Sequence, residues 1–398
     1  MRKTLLHLLA EKGYYLKNFC GRGICKKCEI IFNNKKVLAC QTEIPPEINN
    51  QKLFKRVNIP SSFLRFCDQK FDETDCLAID LGTTNIRIGY QKGESFIKKN
   101  FTNPHFLFAP DLFSRINIYP LLKKYPLIEY LKIKELKKGI IVGNPIMYHF
   151  LLNKISPSLG KYPYRMLIPE KEIIYPIKNK RGIQMVPIIS SFIGGDIVSG
   201  ILYTNLYKKK SFSLLIDLGT NGEIVLGNKD RIFASSCAAG PAFEEKFHYY
   251  GSKIISHLTN LLKEGIIDKS GKLKRKNLWF SQKEIRELQL AKSAIATGII
   301  ILSKISEIPL FQIENIYLTG NFGSKIDIKD LYTIGILPKE IKGKIFLSPD
   351  LPLKGAIKIF KENSLMKECL KIAERTKTFF LPEIEEFFKI FINQIPFP

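Results

Sequence analysis

The pentapeptide Ile-Asp-Leu-Gly-Thr occurs twice, with its aspartates at positions 80 and 217. The first copy is Cys76-Leu-Ala-Ile-Asp80-Leu-Gly82-Thr83-Thr84-Asn85-Ile-Arg-Ile-Gly, and the second is Leu214-Leu-Ile-Asp217-Leu-Gly219-Thr220-Asn221-Gly222-Glu223-Ile-Val-Leu-Gly. Each reads as an apolar strand, a Gly/Thr turn and a return strand. A unit repeated 137 residues on is an internal duplication, which sets the architecture as two related α/β halves. A single such turn suits an ordinary hairpin as well as a binding site; the duplicate favours binding. Successive backbone N–H groups and hydroxyls in a Gly/Thr turn form an anion nest, and an aspartate at the strand end can hold Mg²⁺ through water. Two such hairpins facing each other would clamp a nucleotide's phosphates. Gly82, Thr83, Thr84, Gly219, Thr220, Asn221 and Gly222 are the candidate phosphate-binding residues, with Asp80 and Asp217 as the acids.

With 398 residues, 45% hydrophobic and 25% charged, the chain has the length for two or three domains and the balance of a folded protein. It is strongly basic, 62 Lys and Arg against 37 Asp and Glu, which suits acidic protein, nucleic acid or anionic membrane. The lysines are spread along the whole chain, with short clusters at Lys208 to Lys210 and at Lys272, Lys274, Arg275 and Lys276. No aromatic-interleaved basic motif, zinc-finger spacing or basic helix accompanies them, so no nucleic-acid partner is expected. Compositional bias and a basic docking face for an acidic protein both remain open. No apolar run reaches the ~18 residues of a membrane span. Glu11, Lys12 and Gly13 arrive too soon after Met1 for an export signal. The expectation is a cytoplasmic chain with no membrane partner.

Four of the eight cysteines crowd into one segment. Cys20, Cys25, Cys28 and Cys40 give C-x4-C-x2-C-x11-C, whose first part is the loop spacing of plant-type [2Fe–2S] ferredoxins. Gly21 and Gly23 stand where the backbone must bend closely around the sulfides. Glu29 to Phe32 reads as a strand, Asn33-Asn34 as a tight turn and Lys36 to Ala39 as the strand returning Cys40 to the cluster. Four thiolates also suit structural zinc, although zinc motifs usually pair two C-x2-C knuckles; free thiols are the remaining alternative. The segment resembles the iron–sulfur loop of ferredoxin-like domains, in the short version of succinate dehydrogenase iron–sulfur subunits. Thr4 to Lys12 reads as the helix that normally follows an opening hairpin, and that hairpin is missing. Either the true start lies upstream, or the rest of the chain completes the sheet.

Residues 41–75, with Pro45, Pro46, Asn49, Asn50 and Pro60, lack periodicity and read as a connector. The organisation expected is a truncated ferredoxin-like module at 1–58, a linker at 59–75, one ATPase lobe at 76–195 and a second at 196–398. A third element, Ile316-Tyr-Leu-Thr-Gly320-Asn321-Phe322-Gly323-Ser324, is again a strand running into glycines. Together the three elements resemble the phosphate-1, phosphate-2 and adenosine motifs of the actin, Hsp70 and sugar-kinase superfamily, with its ribonuclease H-like lobes. That resemblance implies ATP with Mg²⁺ as ligand and adenosine contacts at Gly320 and Gly323. It also implies interdomain helices at Phe192 to Asp196 and Leu353 to Ala356, with Asp196 orienting the attacking water.

Cys237-Ala-Ala-Gly240-Pro241-Ala242-Phe243-Glu244, Val142-Gly143-Asn144 with Met147 and His149, and Gln289-Leu-Ala-Lys292-Ser-Ala-Ile narrow the choice. With the ferredoxin-like segment and Asp217 to Glu223, they resemble the reductive activators of corrinoid proteins across nearly the whole chain. The resemblance implies an ATP-dependent enzyme that carries electrons from a [2Fe–2S] cluster to the Co(II) corrinoid protein of a methyltransferase system, restoring Co(I). It also implies an upstream electron donor; a homodimer is left open. An ATP-driven donor to another metalloenzyme, and a nucleotide-binding iron–sulfur scaffold or sensor without electron transfer, are the alternatives. A small-molecule kinase would leave the cysteines unexplained.

Some expectations depart from the family pattern. The middle domain between ferredoxin and ATPase is expected to be absent, Glu245 replaces a usual glycine, and a deletion is expected before Tyr250-Gly251-Ser252. Arg115 suits a family segment or a surface ion pair equally. Met147, His149 and Cys237 are expected in core packing, with a role at the corrinoid interface as the alternative. Lys367 to Phe391 shows helical spacing broken by Pro382, with Phe379, Phe380, Phe387, Phe388 and Phe391 as one apolar face that is expected to pack on the ATPase core, a partner-docking helix being the alternative.

Overall fold

A computed structural model describes residues 3–12, 14–16, 26, 28–44, 57–60, 63–65, 76–92, 95–107, 112–117, 119–123, 126–178, 181–219, 221–239, 251–275, 280–320 and 326–398. The chain divides into two compact units. The first holds Met1–Ile141, Ile146–Pro169 and Tyr175–Met185; the second holds Val142–Pro145, Glu170–Ile174 and Val186–Pro398.

The first unit begins with β1 (Lys3–Thr4), α1 (Leu5–Glu11), β2 (Tyr14–Leu16), β3 (Glu29–Phe32), β4 (Lys35–Leu38), β5 (Glu43–Ile44), β6 (Val57–Asn58) and β7 (Phe63–Arg65). Leu5, Leu8 and Leu9 recur at helical spacing and are fully buried, which gives α1 its inner face. The β3–β4 hairpin turns at Asn33 and Asn34 with φ of 50° and 61°, the left-handed pair that a two-residue hairpin requires. The stretch read as a connector carries three strands: β5 pairs with β1, β6 with β3, and β7 with β2. Strands of two or three residues are too short for an alternating pattern to register.

The duplication is structural. In the first unit, β8 (Cys76–Leu81), β9 (Asn85–Lys92), β10 (Ser95–Thr102), β11 (Lys138–Gly143) and β12 (Ile183–Met185) form a sheet in the order β10-β9-β8-β11-β12. In the second, β13 (Phe212–Leu218), β14 (Gly222–Gly227), β15 (Ile232–Cys237), β16 (Ile313–Gly320) and β17 (Lys344–Leu347) repeat that order as β17-β16-β13-β14-β15. An added edge strand, β18 (Thr376–Thr378), runs parallel to β15. The central strands β8 and β13 are almost wholly buried, as expected of sheets covered on both faces.

Three helices of the first unit are named here, α2 (Leu112–Asn117) and α3 (Pro145–Leu151) after α1; the second unit contributes α4 (Gly195–Thr204), α5 (Gly251–Lys263), α6 (Gln282–Ser306), α7 (Ile328–Ile334), α8 (Leu351–Lys361), α9 (Leu365–Arg375) and α10 (Phe387–Asn393). Leu215 of β13 meets α4, whereas Ile216 and Ile224 belong to the core shared with α5, α6 and α7. Neighbouring strand residues point to opposite faces, so the two helix layers flank the sheet.

The helix α6 opens on a capping box, with the Ser281 side chain and the Glu284 backbone and side chain bonded reciprocally. By length and composition α6 could cross a membrane, contrary to the sequence expectation, yet most of it is buried within the second unit. Among the buried side chains is Lys292, only 1% exposed. Its Nζ donates to the Pro396 carbonyl and lies 5.6 Å from the Phe397 ring centroid. Gln289 donates to the Ile395 carbonyl and Phe397 N–H to that of Lys269, so α6 and the loop carrying Lys269 together hold the 395–397 segment in place.

Burial pulls the Lys292 ammonium down to about 8. Between there and its ordinary value of 10.5, the folded chain holds this group neutral while the unfolded chain keeps it charged. Unfolding therefore takes up a proton, and stability should rise with pH across that window. The expected gain from this group between pH ~8 and ~10 is about 2 kcal/mol, to be read as the difference from Lys292→Met in urea titrations.

The carboxy-terminal expectation holds in part. Helix α9 ends at Arg375, and Thr376 to Thr378 join the sheet instead of continuing a helix to Pro382. The phenylalanines do not share one face. Phe379 packs on Phe233, Phe380 stacks on Phe192, Phe387 stacks on Phe391, and Phe388 is 64% exposed.

Candidate functional site

The first duplicated turn is held from behind. The Asn103 side-chain amide donates to the Gly82 carbonyl at 2.9 Å, Arg115 Nη2 to the Thr83 carbonyl at 2.8 Å, and Asn103 N–H to the Thr84 carbonyl at 2.8 Å. Asn103 and Arg115 are both fully buried. Arg115 is thus no surface ion pair; it also donates to Met147 Sδ at 3.7 Å. His149 is a core residue whose Nε2 accepts from Leu167 N–H at 2.9 Å. Nothing in the sequence singled out Asn103, which follows β10 and reaches the turn only through the β8–β9–β10 pairing.

The duplicated acids have different partners. The first turn runs between paired Leu81 and Ile86, the second between paired Leu218 and Gly222, one residue shorter. That single residue changes what stands across from each aspartate. Asp80 pairs with Arg87, with an ion pair of 2.7 Å and only 3% of Asp80 exposed. Asp217 stands opposite Glu223. Burial, then the Asp217 charge, then that of Asp196, push the Glu223 carboxyl well above the usual carboxylate range. Asp196, Asp217 and Glu223 therefore interact within the second unit. The buried Cys237 thiol is also pushed up, first by burial and then by Glu223.

Asp196 lies in the first turn of α4, and its Oδ1 accepts from Ile197 N–H at 2.9 Å. The second turn closes on itself, with Gly219 N–H donating to the Asn221 carbonyl at 3.0 Å. Gly320, at the end of β16, has φ +95°, and a Cβ there would stand 2.7 Å from Asp217 Oδ1. Only glycine lets the third element come this close to the second turn. Thr220, Asn321, Gly323 and the segment from Gly240 to Tyr250 lie outside the described residues, so Asp217, Gly219, Asn221, Gly222 and Gly320 are the expected residues that the second unit brings together here.

Of the four clustered cysteines, Cys20 and Cys25 lie outside the described residues. Cys28 and Cys40 come together, with their sulfurs 3.2 Å apart and no disulfide between them. Hydrogen bonds tie that loop down, among them Leu5 N–H to Thr42, Leu6 N–H to Ala39, and Ala39 N–H to Cys28. The opening N–H groups of α1 are thereby satisfied by the segment that carries Cys40. Among the described residues, no group of three or more His, Cys, Asp or Glu side chains is placed to hold a metal.

A duplicated five-stranded sheet in this order, with a Gly/Thr turn leaving each central strand, defines an α/β fold of the actin-like ASKHA class. The family profile "C-terminal domain of RACo the ASKHA domain" matches residues 211–253 and 273–398, and that of the "RACo middle region" matches 121–209. The chain belongs to the family of reductive activators of corrinoid proteins. The middle region is therefore present, contrary to the sequence expectation; it coincides with much of the stretch assigned to the first ATPase lobe.

The corrinoid activation enzyme RamQ of Eubacterium limosum is 26% identical over 359 residues, 66% of this chain and 60% of its own. The [Co(II) methylated amine-specific corrinoid protein] reductase of Methanosarcina barkeri is 26% identical over 319 residues, 61% of this chain and 59% of its own. A solved reductive activator for a corrinoid, iron–sulfur protein superposes with a TM-score of 0.69 at 26% identity, covering 81% of this chain and 66% of that one. The chain thus spans about three fifths of the length of these curated relatives.

Proposed function

We propose that this chain is an ATP-dependent reductive activator, passing one electron from a [2Fe–2S] cluster to the Co(II) corrinoid of a methyltransferase's corrinoid protein to give Co(I). The observation that carries the reading is the convergence of the Cys28 and Cys40 sulfurs in a chain of this family. Two thiols this close suit two ligands of one metal centre. Cys20, Cys25, Cys28 and Cys40 would hold the cluster, which when bound supplies a one-electron relay from an upstream donor.

For the nucleotide, the turns at Gly82, Thr83, Thr84 and at Gly219, Thr220, Asn221, Gly222 supply phosphate-binding backbone. Asp217 would hold Mg²⁺, which asks for only one or two carboxylates beside phosphate and water. Asp196 orients the attacking water, and Gly320 with Gly323 leaves room for adenosine. A plant-type cluster near about −400 mV is a weak donor to a more reducing cobalt centre. ATP-dependent differences in affinity for the partner would shift that equilibrium.

The test is an anaerobic reaction of the reduced chain with a purified Co(II) corrinoid protein, followed by cobalt absorbance. Co(I) is expected to accumulate with MgATP and not with MgADP. Equal Co(I) formation without nucleotide would reject ATP coupling, and no Co(I) under either condition would reject this target.

A further inference from the structure

We propose that Asn103 and the 3₁₀ turn Pro104–Leu107 couple the Gly82 to Thr84 turn to the loop that carries Cys40, so that nucleotide at the one and charge at the other influence each other. The inference rests on the nucleotide reading above, and every residue it uses lies within the first unit.

The link is a chain of hydrogen-bonded and packed contacts. At one end, Asn103 N–H donates to the Thr84 carbonyl at 2.8 Å and the side-chain amide to the Gly82 carbonyl at 2.9 Å. The oxygen of that same amide accepts from His105 N–H at 2.9 Å. A brace for the turn alone would need only the first two bonds. With the third, the nitrogen of the amide reaches the turn and its oxygen reaches the segment that follows. His105 is 1% exposed, and its ring meets that of Phe150 edge-on with centroids 5.5 Å apart, which anchors the 3₁₀ turn. The same 3₁₀ turn touches α1. At the far end, Leu5 and Leu6 of α1 donate their N–H groups to Thr42 and Ala39, on either side of Cys40, and Ala39 N–H donates to the Cys28 carbonyl.

Leu5, Leu8, Leu9 and Asn103 are fully buried. Close-packed groups pass a displacement on instead of absorbing it. Phosphate drawn into the turn shifts the Gly82 and Thr84 carbonyls, Asn103 moves with them, and the shift arrives at the amides that hold the Cys40 loop. An electron added to a cluster at the cysteines changes the charge at the other end of the same link. Two events that bias one packed arrangement must affect each other by the same factor. Asn103 is the positioning residue of this link.

Amide hydrogen exchange of the full chain, with and without saturating MgADP, reads the link whether or not the cluster is loaded. Exchange at Leu5 and Leu6 is expected to slow about fivefold or more when MgADP binds. In Asn103→Leu, with MgADP raised until the chain is again saturated, the slowing should fall below about twofold. A merely structural role would speed exchange at both amides in Asn103→Leu and leave the effect of MgADP in place. In the cluster-loaded chain, anaerobic equilibrium dialysis should find ADP affinities that differ about fivefold between the oxidised and dithionite-reduced states, equivalent to a shift of about 40 mV at 59 mV per tenfold. MgADP that binds without slowing Leu5 and Leu6, slowing that persists in Asn103→Leu, or equal ADP affinities in the two oxidation states would overturn the link while leaving the nucleotide reading intact. A folded, unsubstituted chain that binds no ADP would overturn both. Phe150→Leu, which removes the ring against His105, is the second variant. If Asn103→Leu does not fold or does not bind ADP, undiminished slowing in Phe150→Leu overturns the link.

Discussion

Replacing Cys40 with alanine should take the anaerobically reconstituted chain from about two irons and two sulfides per molecule to almost none, with loss of the visible absorption that dithionite bleaches. Cys40 sits on a loop that cannot readily supply a substitute. Leu5 and Leu6 N–H groups bond to Thr42 and Ala39 on either side of it, and Gln41 and Thr42 N–H groups both bond to the Leu38 carbonyl. Its sulfur is 3.2 Å from that of Cys28, so Cys28→Ala should give the same loss. Cys369 is the control. It is fully buried on α9, and burial followed by the Glu368 charge pushes its thiol up to about 12, which leaves no thiolate to recruit iron. Cys369→Ala should keep the iron and the spectrum. One tightly held zinc in the unsubstituted chain, with no sulfide, would replace the electron-transfer reading with a structural metal site.

What the residues disclosed, and what they hid, follows from the range of the interactions involved. The Ile-Asp-Leu-Gly-Thr repeat is local, and it gave away a duplication that both sheets carry in the same strand order. The Asn33-Asn34 turn was equally legible, because left-handed φ at two successive residues is a demand that few residue types meet. The difference between the two hairpins was hidden in plain view. A turn shorter by one residue shifts the cross-strand partner, so identical pentapeptides face arginine in one unit and glutamate in the other. Register is a pairwise property that neither copy states alone.

Asn103 and Arg115 were harder still. They lie about twenty and thirty residues from the turn they brace, and polar residues after a strand or in a short helix carry no mark of such a task. Their burial gives them away. The tiny strands β5, β6 and β7 and the edge strand β18 were missed for another reason. Two or three residues cannot show a period, and their pairing is decided by distant strands with open edges. The middle region was missed because most of its span lies within a stretch already assigned to the first lobe.

Gly355→Leu should unfold the second unit or cost it more than the about 3 kcal/mol typical of an overpacked core, and Gly355→Ala should cost about 2 kcal/mol, some 4–8 °C in melting temperature. The reason is a helix crossing with no room for a side chain. A Cβ on Gly355 of α8 would stand 2.4 Å from the Ser199 carbonyl oxygen and 2.8 Å from Ser199 Cβ on α4. Backbone, unlike the tip of a long side chain, can yield only if a helix moves. Ser199 Oγ bonds at the same crossing to the Asp196 and Pro352 carbonyls, so displacing α8 pulls on the first turn of α4. That turn carries Asp196, the proposed water-orienting acid. A folded Gly355→Ala chain should therefore lose ATP turnover more than ADP affinity, because orienting water matters to the reaction and not to the bound ground state. Thermal denaturation by circular dichroism reads the first effect, and phosphate release beside ADP calorimetry reads the second. Unchanged turnover in a destabilised Gly355→Ala chain would mean that Asp196 tolerates movement of α4 and that its place is not set by this crossing.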